Sequence, residues 1–510
     1  IMEEENQLGL AHLLEHMAFN GSTNYPKNAL DKFMSSIGLD LGSHYNATTG
    51  HLKTVYEYEI PTDDPINVLT TIKILADISN NLTLEGEAFE RERKIVEEEW
   101  RNDLGASKRY LDELLPYLYK GSRLLERKPI GDIEIIRNFE YDDARSYYKK
   151  WYQPNLMGLF VIGDVDVNEI KNIITESFSS FENNDVTIPN YKIPDFNENQ
   201  FFKYQDEETE RITFSLWEKT DFKKLNNFDN YKDDRIYNLI SDIYQRRIDE
   251  LLEKNELAFL NSGLGNSQVS DLDEYKTVSV TLNEAKINEG IIDFLTFIKQ
   301  IEKFGFLNSE LDLAKKNYLQ YLKQNIIDEE TRSSESYVNE YQRHFLNDEM
   351  ISSSEDQLKF TREILPSITI LDLNNYFKKY IQAKNQIISI KAPAYIKDLP
   401  NEAEIKKLFN EVANKAIKPY EFQLKEVELI KEELIGSKII KRVKYPKTKV
   451  IKLTLKNGPE VYLKKTDFKK DEIQIRGFSS GGLSKADDKQ YLSAKYLDEI
   501  ISQANVGELT

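Results

Sequence analysis

Two of the chain's five histidines stand in His12-Leu13-Leu14-Glu15-His16. On a helix, residues four apart share one face, so both imidazoles can reach a single metal ion. Glu15 projects beside them, and a carboxylate there can take a proton from a water without being a ligand itself. Such a pattern can arise by chance on an ordinary amphipathic helix. Here Leu10, Leu13, Leu14 and Met17 already supply an apolar stripe at helical spacing, so the histidines are not needed as core filler. Asn20-Gly21-Ser22 ends the helix, with Gly21 suited to a cap.

A zinc site that keeps an open position needs three protein ligands and a water. Residues 85–103 offer the third. Ala88, Phe89, Ile95, Val96 and Trp100 mark an apolar helix face, and Glu92 and Glu99 fall on it, whereas Glu90, Glu97 and Glu98 point elsewhere. A carboxylate on an apolar face is costly unless it is paired or holds a metal. Either glutamate could complete the set with His12 and His16, and the competing role is an ion pair with arginine. His44 and His51 flank Tyr45-Asn46-Ala47-Thr48-Thr49 and read as strand-borne surface residues. His344, between Arg343 and Phe345, receives no role.

The elements that must position these groups follow from periodicity. Helices are expected within 1–20, after Pro26, at 65–80, 85–104, 107–120 and 141–152. Strands are expected within 41–60 and at Leu156–Val165. Residues 185–200, with Pro189 and Pro194, read as a domain boundary. The pattern then repeats: strands at Ile212–Trp217, 276–283 and Ile387–Lys391, and helices at 230–253, 288–302 and 308–328. Residues 401–445 are Lys/Glu-rich and read as a helical, solvated linker. Ile451–Leu455, Asn457-Gly458 and Val461–Lys464 form a hairpin signal, with a helix expected at 488–503.

Composition excludes several classes. The chain has 510 residues, 40% of them hydrophobic and 30% charged, so it is not wholly disordered. Its formal charge of −19 makes it a poor binder of phosphate backbones, so no nucleic-acid partner is expected. Cysteine is absent, which removes disulfides, thiolate metal sites and a cysteine nucleophile without deciding the compartment. No apolar run approaches the roughly 18–20 residues of a membrane-spanning helix. The start, Ile1-Met2-Glu3-Glu4-Glu5, has no signal-peptide character and looks cut.

Taken together, the motifs resemble the insulinase/pitrilysin family of inverted-motif zinc peptidases, in particular its long bacterial branch. Residues 9–22 look like that family's zinc helix, Tyr45-Asn46-Ala47-Thr48 like its following strand, and residues 92–101 like its third-ligand helix. Gly121-Ser122-Arg123, Pro129-Ile130-Gly131, residues 151–157 and residues 161–166 follow in the same order.

The resemblance implies an α+β fold of repeated metallopeptidase units, each an antiparallel sheet with helices packed on one side. It implies a catalytic domain at 1–195 lacking its first strand, a second, non-catalytic domain at 196–430, a hinge at 431–445 and the start of a third unit at 446–510. In that third unit, residues 492–500 stand where a zinc helix would be and carry no histidine. The implied ligands of one Zn2+ per chain are His12, His16 and Glu99, with Glu15 as general base and Glu92 supporting the site. Asn46, Ala47 and Thr48 are the implied substrate-binding residues. The implied activity is zinc-dependent endopeptidase cleavage of peptides or unfolded segments, in the bacterial periplasm or cell envelope. The segment is expected to pack against a second half of a longer chain. That half would supply a substrate-clamping arginine and tyrosine beyond Thr510. The alternative is a non-catalytic partner or scaffold subunit of a peptidase complex, against which the intact motif argues. A phosphoester hydrolase would want basic or Gly-rich phosphate loops, and none is evident.

Overall fold

The computed structural model of the protein describes residues 1–381, 386–421, 434–467 and 473–502. The chain runs α1 (Leu10–Met17), α2 (Ala29–Ser36), β1 (Tyr45–Thr49), β2 (Thr54–Tyr58), α3 (Pro65–Asn80), α4 (Gly86–Asn102), α5 (Ala106–Leu118), α6 (Ile133–Asn138), α7 (Tyr141–Trp151) and α8 (Val167–Phe178). It continues through β3 (Gln200–Asp206), β4 (Ile212–Asp221), α9 (Phe228–Glu253), β5 (Phe259–Gln268), β6 (Asp273–Leu282), α10 (Ile287–Phe304), α11 (Asn308–Asp328), α12 (Ser334–Asn347), α13 (Ser354–Ile364), α14 (Ile370–Ile381), β7 (Gln386–Pro393) and α15 (Glu402–Asn414). The last elements are β8 (Ile439–Tyr445), β9 (Val450–Leu455), β10 (Glu460–Lys464), α16 (Tyr491–Lys495) and α17 (Leu497–Ser502).

Two compact units result. The first holds residues 1–306, 333–351 and 368–418, and the second holds 307–332, 352–367 and 419–510. In the first unit a five-stranded sheet has the order β3-β7-β4-β6-β5. Three pairings are antiparallel; β3 and β7 pair in parallel. Parallel neighbours need a long crossover, and the elements between residues 206 and 386 supply it. One face of the sheet is covered by α9 and α10, with Phe214 edge-on to Phe294 at 5.9 Å. On the other face Phe202, Tyr204, Tyr275 and Ile387 share a buried core with Leu114, Leu118 and Leu124. Arg109 of α5 forks onto Asp206 of β3 at 2.7 and 2.8 Å and adds a directional link. The fold is α+β, as the resemblance implies.

The second unit contains an antiparallel sheet of order β10-β9-β8. The hairpin expected at Asn457-Gly458 joins β9 and β10, and Gly458 has the positive φ of 107° that favours glycine. Residues 401–445 behave differently from the helical linker expected. Glu402–Asn414 are helical, but Ile439–Tyr445 form strand β8 against β9. Residues 422–433, which include part of the expected hinge, lie outside the described residues.

A second difference concerns Leu156–Val165. Pro154–Leu156 make one 3-10 turn, and the residues that follow have no ladder partner among the described residues. The apolar run is nonetheless used: Val161 and Val165 pack against Ile72, Ile170 and Ile173 from α3 and α8. Apolarity marks a segment that packs against a core, whereas a ladder requires a neighbouring strand.

Helix α1 is short and held at both ends. At its start Gly9 has φ +97° and lies back to back with Gly131, φ +76°; a Cβ on Gly131 would sit 2.2 Å from Gly9 Cα. Glu3 Oε1 accepts hydrogen bonds from the Gly9 and Ala11 amides, both at 2.9 Å, and so satisfies two donors at the start of the helix. Beyond its end, Asp77 of α3 gathers the loop. It accepts from Ser22 Oγ (2.6 Å), the Asn24 amide (2.8 Å), Asn24 Nδ2 (2.7 Å) and Asn81 Nδ2 (2.9 Å). Burial pushes the Asp77 pKa up, but these donors more than offset it, and the net value lies below the usual one.

Asp77→Ala strands those donors and should destabilise the protein by about 2–4 kcal/mol in denaturant unfolding. Because its folded pKa is depressed, Asp77 contributes fully above the ordinary aspartate value near ~3.9 and loses its contribution as pH falls through the lower folded value. The gap in stability between wild type and Asp77→Ala should therefore narrow below about pH 4.

Candidate metal centre

Leu10, Leu13, Leu14 and Met17 bury one face of α1 almost completely. The opposite face presents His12, Glu15 and His16 to α4 and to the β1–β2 hairpin. Burying four such side chains contributes about 1.5–3 kcal/mol each, which fixes the rotation of the helix and hence the direction of the polar face.

Helix α4 meets that face with two carboxylates. Glu99 Oε2 lies 3.7 Å from His12 Nε2 and 3.5 Å from His16 Nε2. Ligand atoms from His12, His16 and Glu99 all lie within 4.8 Å of one another. On a tetrahedral zinc with bonds of about 2.05 Å, neighbouring ligand atoms are about 3.3–3.4 Å apart, which the two Glu99 distances approach. Two imidazole nitrogens and one carboxylate are also a donor set that zinc accepts.

Glu92 has a different place. It is buried, and its Oε2 lies 3.1 Å from His16 Nδ1, the ring nitrogen facing away from Glu99. Its other oxygen accepts from Asn20 Nδ2 at 2.8 Å, and Asn20 is in turn held by Arg91 at 3.1 Å. An anion on the second nitrogen fixes the histidine's orientation and tautomer. Burial alone would lower the His16 pKa, but the Glu92 hydrogen bond and the Glu99 charge hold it above its ordinary value. His12 has no such partner among the described residues: its Nδ1 is buried without a hydrogen bond. Burial, and then the neighbouring His16, push its pKa down to about 4, so its imidazole is neutral near pH 7.

The apolar face expected on α4 is narrower than the sequence suggests. Ala88, Phe89, Glu92 and Val96 are buried, whereas Ile95 is 45% exposed and Trp100 only partly covered. At about 100° per residue, Ile95 and Trp100 fall on opposite flanks of Glu92. Glu99, with its side chain 45% exposed, stands at the rim. The remaining glutamates have other partners: Glu97 binds Arg101 and Arg137, Glu98 binds Arg101, and Glu90 binds Arg93 and Tyr141.

Glu15 accepts a 2.5 Å hydrogen bond from Thr49 Oγ1, and Thr49 Oγ1 lies 3.1 Å from Thr54 Oγ1 across the hairpin. Burial raises the Glu15 pKa, and the Thr49 hydrogen bond opposes that rise. Along β1, Tyr45 and Ala47 are buried, and Asn46 and Thr48 alternate outward. His51 lies in the β1–β2 turn, partly buried and edge-on to Tyr119 at 5.6 Å, rather than on an exposed strand. His44 Nδ1 accepts from the Asp40 amide, and His344 Nδ1 lies 2.6 Å from the Glu349 carbonyl, so neither joins the cluster. Sequence reading overlooked Thr49 and Asn20. The signal for Thr49 is its even spacing from Tyr45 and Ala47, which turns it inward. Asn20 carries no signal beyond ending the helix.

With this geometry in view, comparison with known proteins is informative. Residues 1–123 match the family model "Insulinase (Peptidase family M16)", and residues 138–318 match "Peptidase M16 inactive domain". The chain is 26% identical over 497 residues to "Zinc protease PQQL-like" of Arabidopsis thaliana, covering 97% of this chain and 49% of that protein. It is 26% identical over 518 residues to "Probable zinc protease PqqL" of Escherichia coli, covering 100% of this chain and 55% of that protein. The chain thus spans about half the length of the curated relatives it matches. The crystal structure of the periplasmic protease PqqL from Escherichia coli superposes with a TM-score of 0.80 at 24% identity, over 91% of this chain and 52% of that one. Between them the two M16 models match residues 1–123 and 138–318, more than half of the chain: it belongs to the insulinase family of peptidases and is similar to PqqL-type zinc proteases.

Proposed function

We propose that this chain carries the metal-binding and acid–base machinery of a zinc-dependent endopeptidase acting on peptides or unfolded polypeptide segments. The observation that carries the reading is the convergence of His12, His16 and Glu99 on one point, with Glu15 beside them. In this reading one zinc per chain is held by those three residues, and residues 1–195 form the catalytic domain. Zinc, when bound, supplies Lewis acidity to the scissile carbonyl and to a water. Glu15 takes the proton of the attacking water and returns it to the leaving amine. Glu92 keeps His16 in the tautomer whose Nε2 lone pair faces the metal. The peptide adds as a strand along β1, at Asn46, Ala47 and Thr48, where main-chain pairing tolerates varied side chains.

The likeness to PqqL supports a place in the bacterial periplasm or cell envelope. The coverage of about half of each relative supports a longer protein whose second half packs against this one. The described residues contain no helix long and apolar enough to cross a membrane.

His12→Ala and His16→Ala should abolish stoichiometric zinc, measured by elemental analysis of the purified protein. Glu99→Gln should weaken zinc binding strongly, whereas Glu98→Gln, which only loses an exposed pair with Arg101, should not. Zinc retained in full by Glu99→Gln would remove it from the ligand set.

Glu15→Gln should keep both fold and zinc, yet lose at least about a hundredfold in peptide-cleavage rate. Cleavage near the wild-type rate would show that another group moves the proton.

A further inference from the structure

The hydroxyl on Glu15 comes from the hairpin, not from the helix. Thr49 and Thr54 are direct cross-strand partners at the last register position before the turn. Their hydroxyl oxygens are 3.1 Å apart, and Thr49 donates to Glu15 Oε2 at 2.5 Å. A hydroxyl has one proton to give. With the Thr49 proton spent on Glu15, the Thr54 hydroxyl must be the donor in the Thr54–Thr49 contact. The direction of the chain is therefore Thr54 to Thr49 to Glu15. It occupies one carboxylate oxygen and leaves Oε1 as the oxygen open to a proton from water. Gly50 N donating to Lys53 O at 2.8 Å closes the turn and holds the two threonines opposite each other.

We propose that Thr49 is a positioning residue for the base, its hydroxyl aligned by Thr54 and holding Glu15 Oε2 so that Oε1 exchanges the proton. The proposal rests on the reading of Glu15 as the base. It gives the end of the hairpin a task separate from pairing with substrate, because Thr49 faces inward from β1 while Asn46 and Thr48 face outward. A hydrogen bond of this kind strengthens the fixed orientation of the carboxylate at every stage of the reaction. Its loss should therefore act on the chemical step and leave substrate binding alone.

The test uses zinc-loaded protein and an unfolded peptide substrate. Thr49→Val keeps the side-chain shape without the hydroxyl. It should lower kcat about tenfold to a hundredfold, the scale of one hydrogen bond to a charged group, with KM unchanged. Zinc affinity, by chelator competition, should stay at its wild-type value, because Thr49 is not a ligand. Thr49→Ser should restore kcat, and Thr54→Val should lower it by a smaller factor. A crystal structure of Thr49→Val should show the Glu15 carboxylate turned from its wild-type rotamer. In a Glu15→Gln background, Thr49→Val should cost nothing more, since the two act as a unit.

A wild-type kcat in Thr49→Val, a loss confined to KM, failure of Thr49→Ser to restore kcat, or an unmoved Glu15 would each overturn the positioning role. The two readings fail separately. Inactive Glu15→Gln with fully active Thr49→Val removes only the role of Thr49. Active Glu15→Gln removes the base itself, and the role of Thr49 with it.

Discussion

His16 is held between two carboxylates of α4, with Glu92 on Nδ1 at 3.1 Å and Glu99 beside Nε2 at 3.5 Å. That single crossing of α1 and α4 sets most of the site. An imidazole pinned through one nitrogen can rotate about neither χ angle without breaking a charge-assisted hydrogen bond, so its other nitrogen has one direction. Burying Glu92 would be prohibitive on its own. His16 and Asn20 together give it partners on both oxygens, and the cost of desolvation is offset where the orientation is required.

The crossing has meaning only if α1 cannot slide. At eight residues it is too short to be stable alone, so its position is imposed from outside. Glu3 and the Gly9–Gly131 contact hold its first turn, and Asp77 holds the loop that leaves its last. Between these anchors the apolar stripe is fully buried, which leaves the helix one rotation. None of these groups touches the His12–His16–Glu99 cluster, yet each sets where its atoms lie. A displacement of about 1 Å matters at a site of this kind.

The three acidic residues of the site differ in what surrounds them, which supports the separate tasks proposed for them. Glu92 is buried and fully partnered, so it is fitted to hold rather than to react. Glu99 stands at the rim, its side chain 45% exposed, where it can turn toward a cation. Glu15 is buried enough for its pKa to rise, with the Thr49 hydroxyl on Oε2, which suits the proton exchange proposed for it.

Much of this was legible in the sequence, because it depends on local spacing. The i, i+4 histidines, the glutamate between them and the apolar stripe of α1 all follow from helical geometry. So does the seven-residue interval that puts Glu92 and Glu99 on nearly one line of α4. The hairpin at Asn457-Gly458 and most helices were readable for the same reason. The sequence left the third ligand open between Glu92 and Glu99, since both satisfy the same periodicity, and only the resemblance favoured one. What separates them in space is the angle at which α4 crosses α1, a property of packing between elements distant in the chain. The same holds for the exposed Ile95, for the run after Leu156, which has no ladder partner among the described residues, and for Thr49, whose partner lies thirty-four residues earlier. The sequence by itself determined which residue types share a helix face. Tertiary structure alone decided which carboxylate is buried and which stands at the rim, because burial is set by what other segments bring against that face.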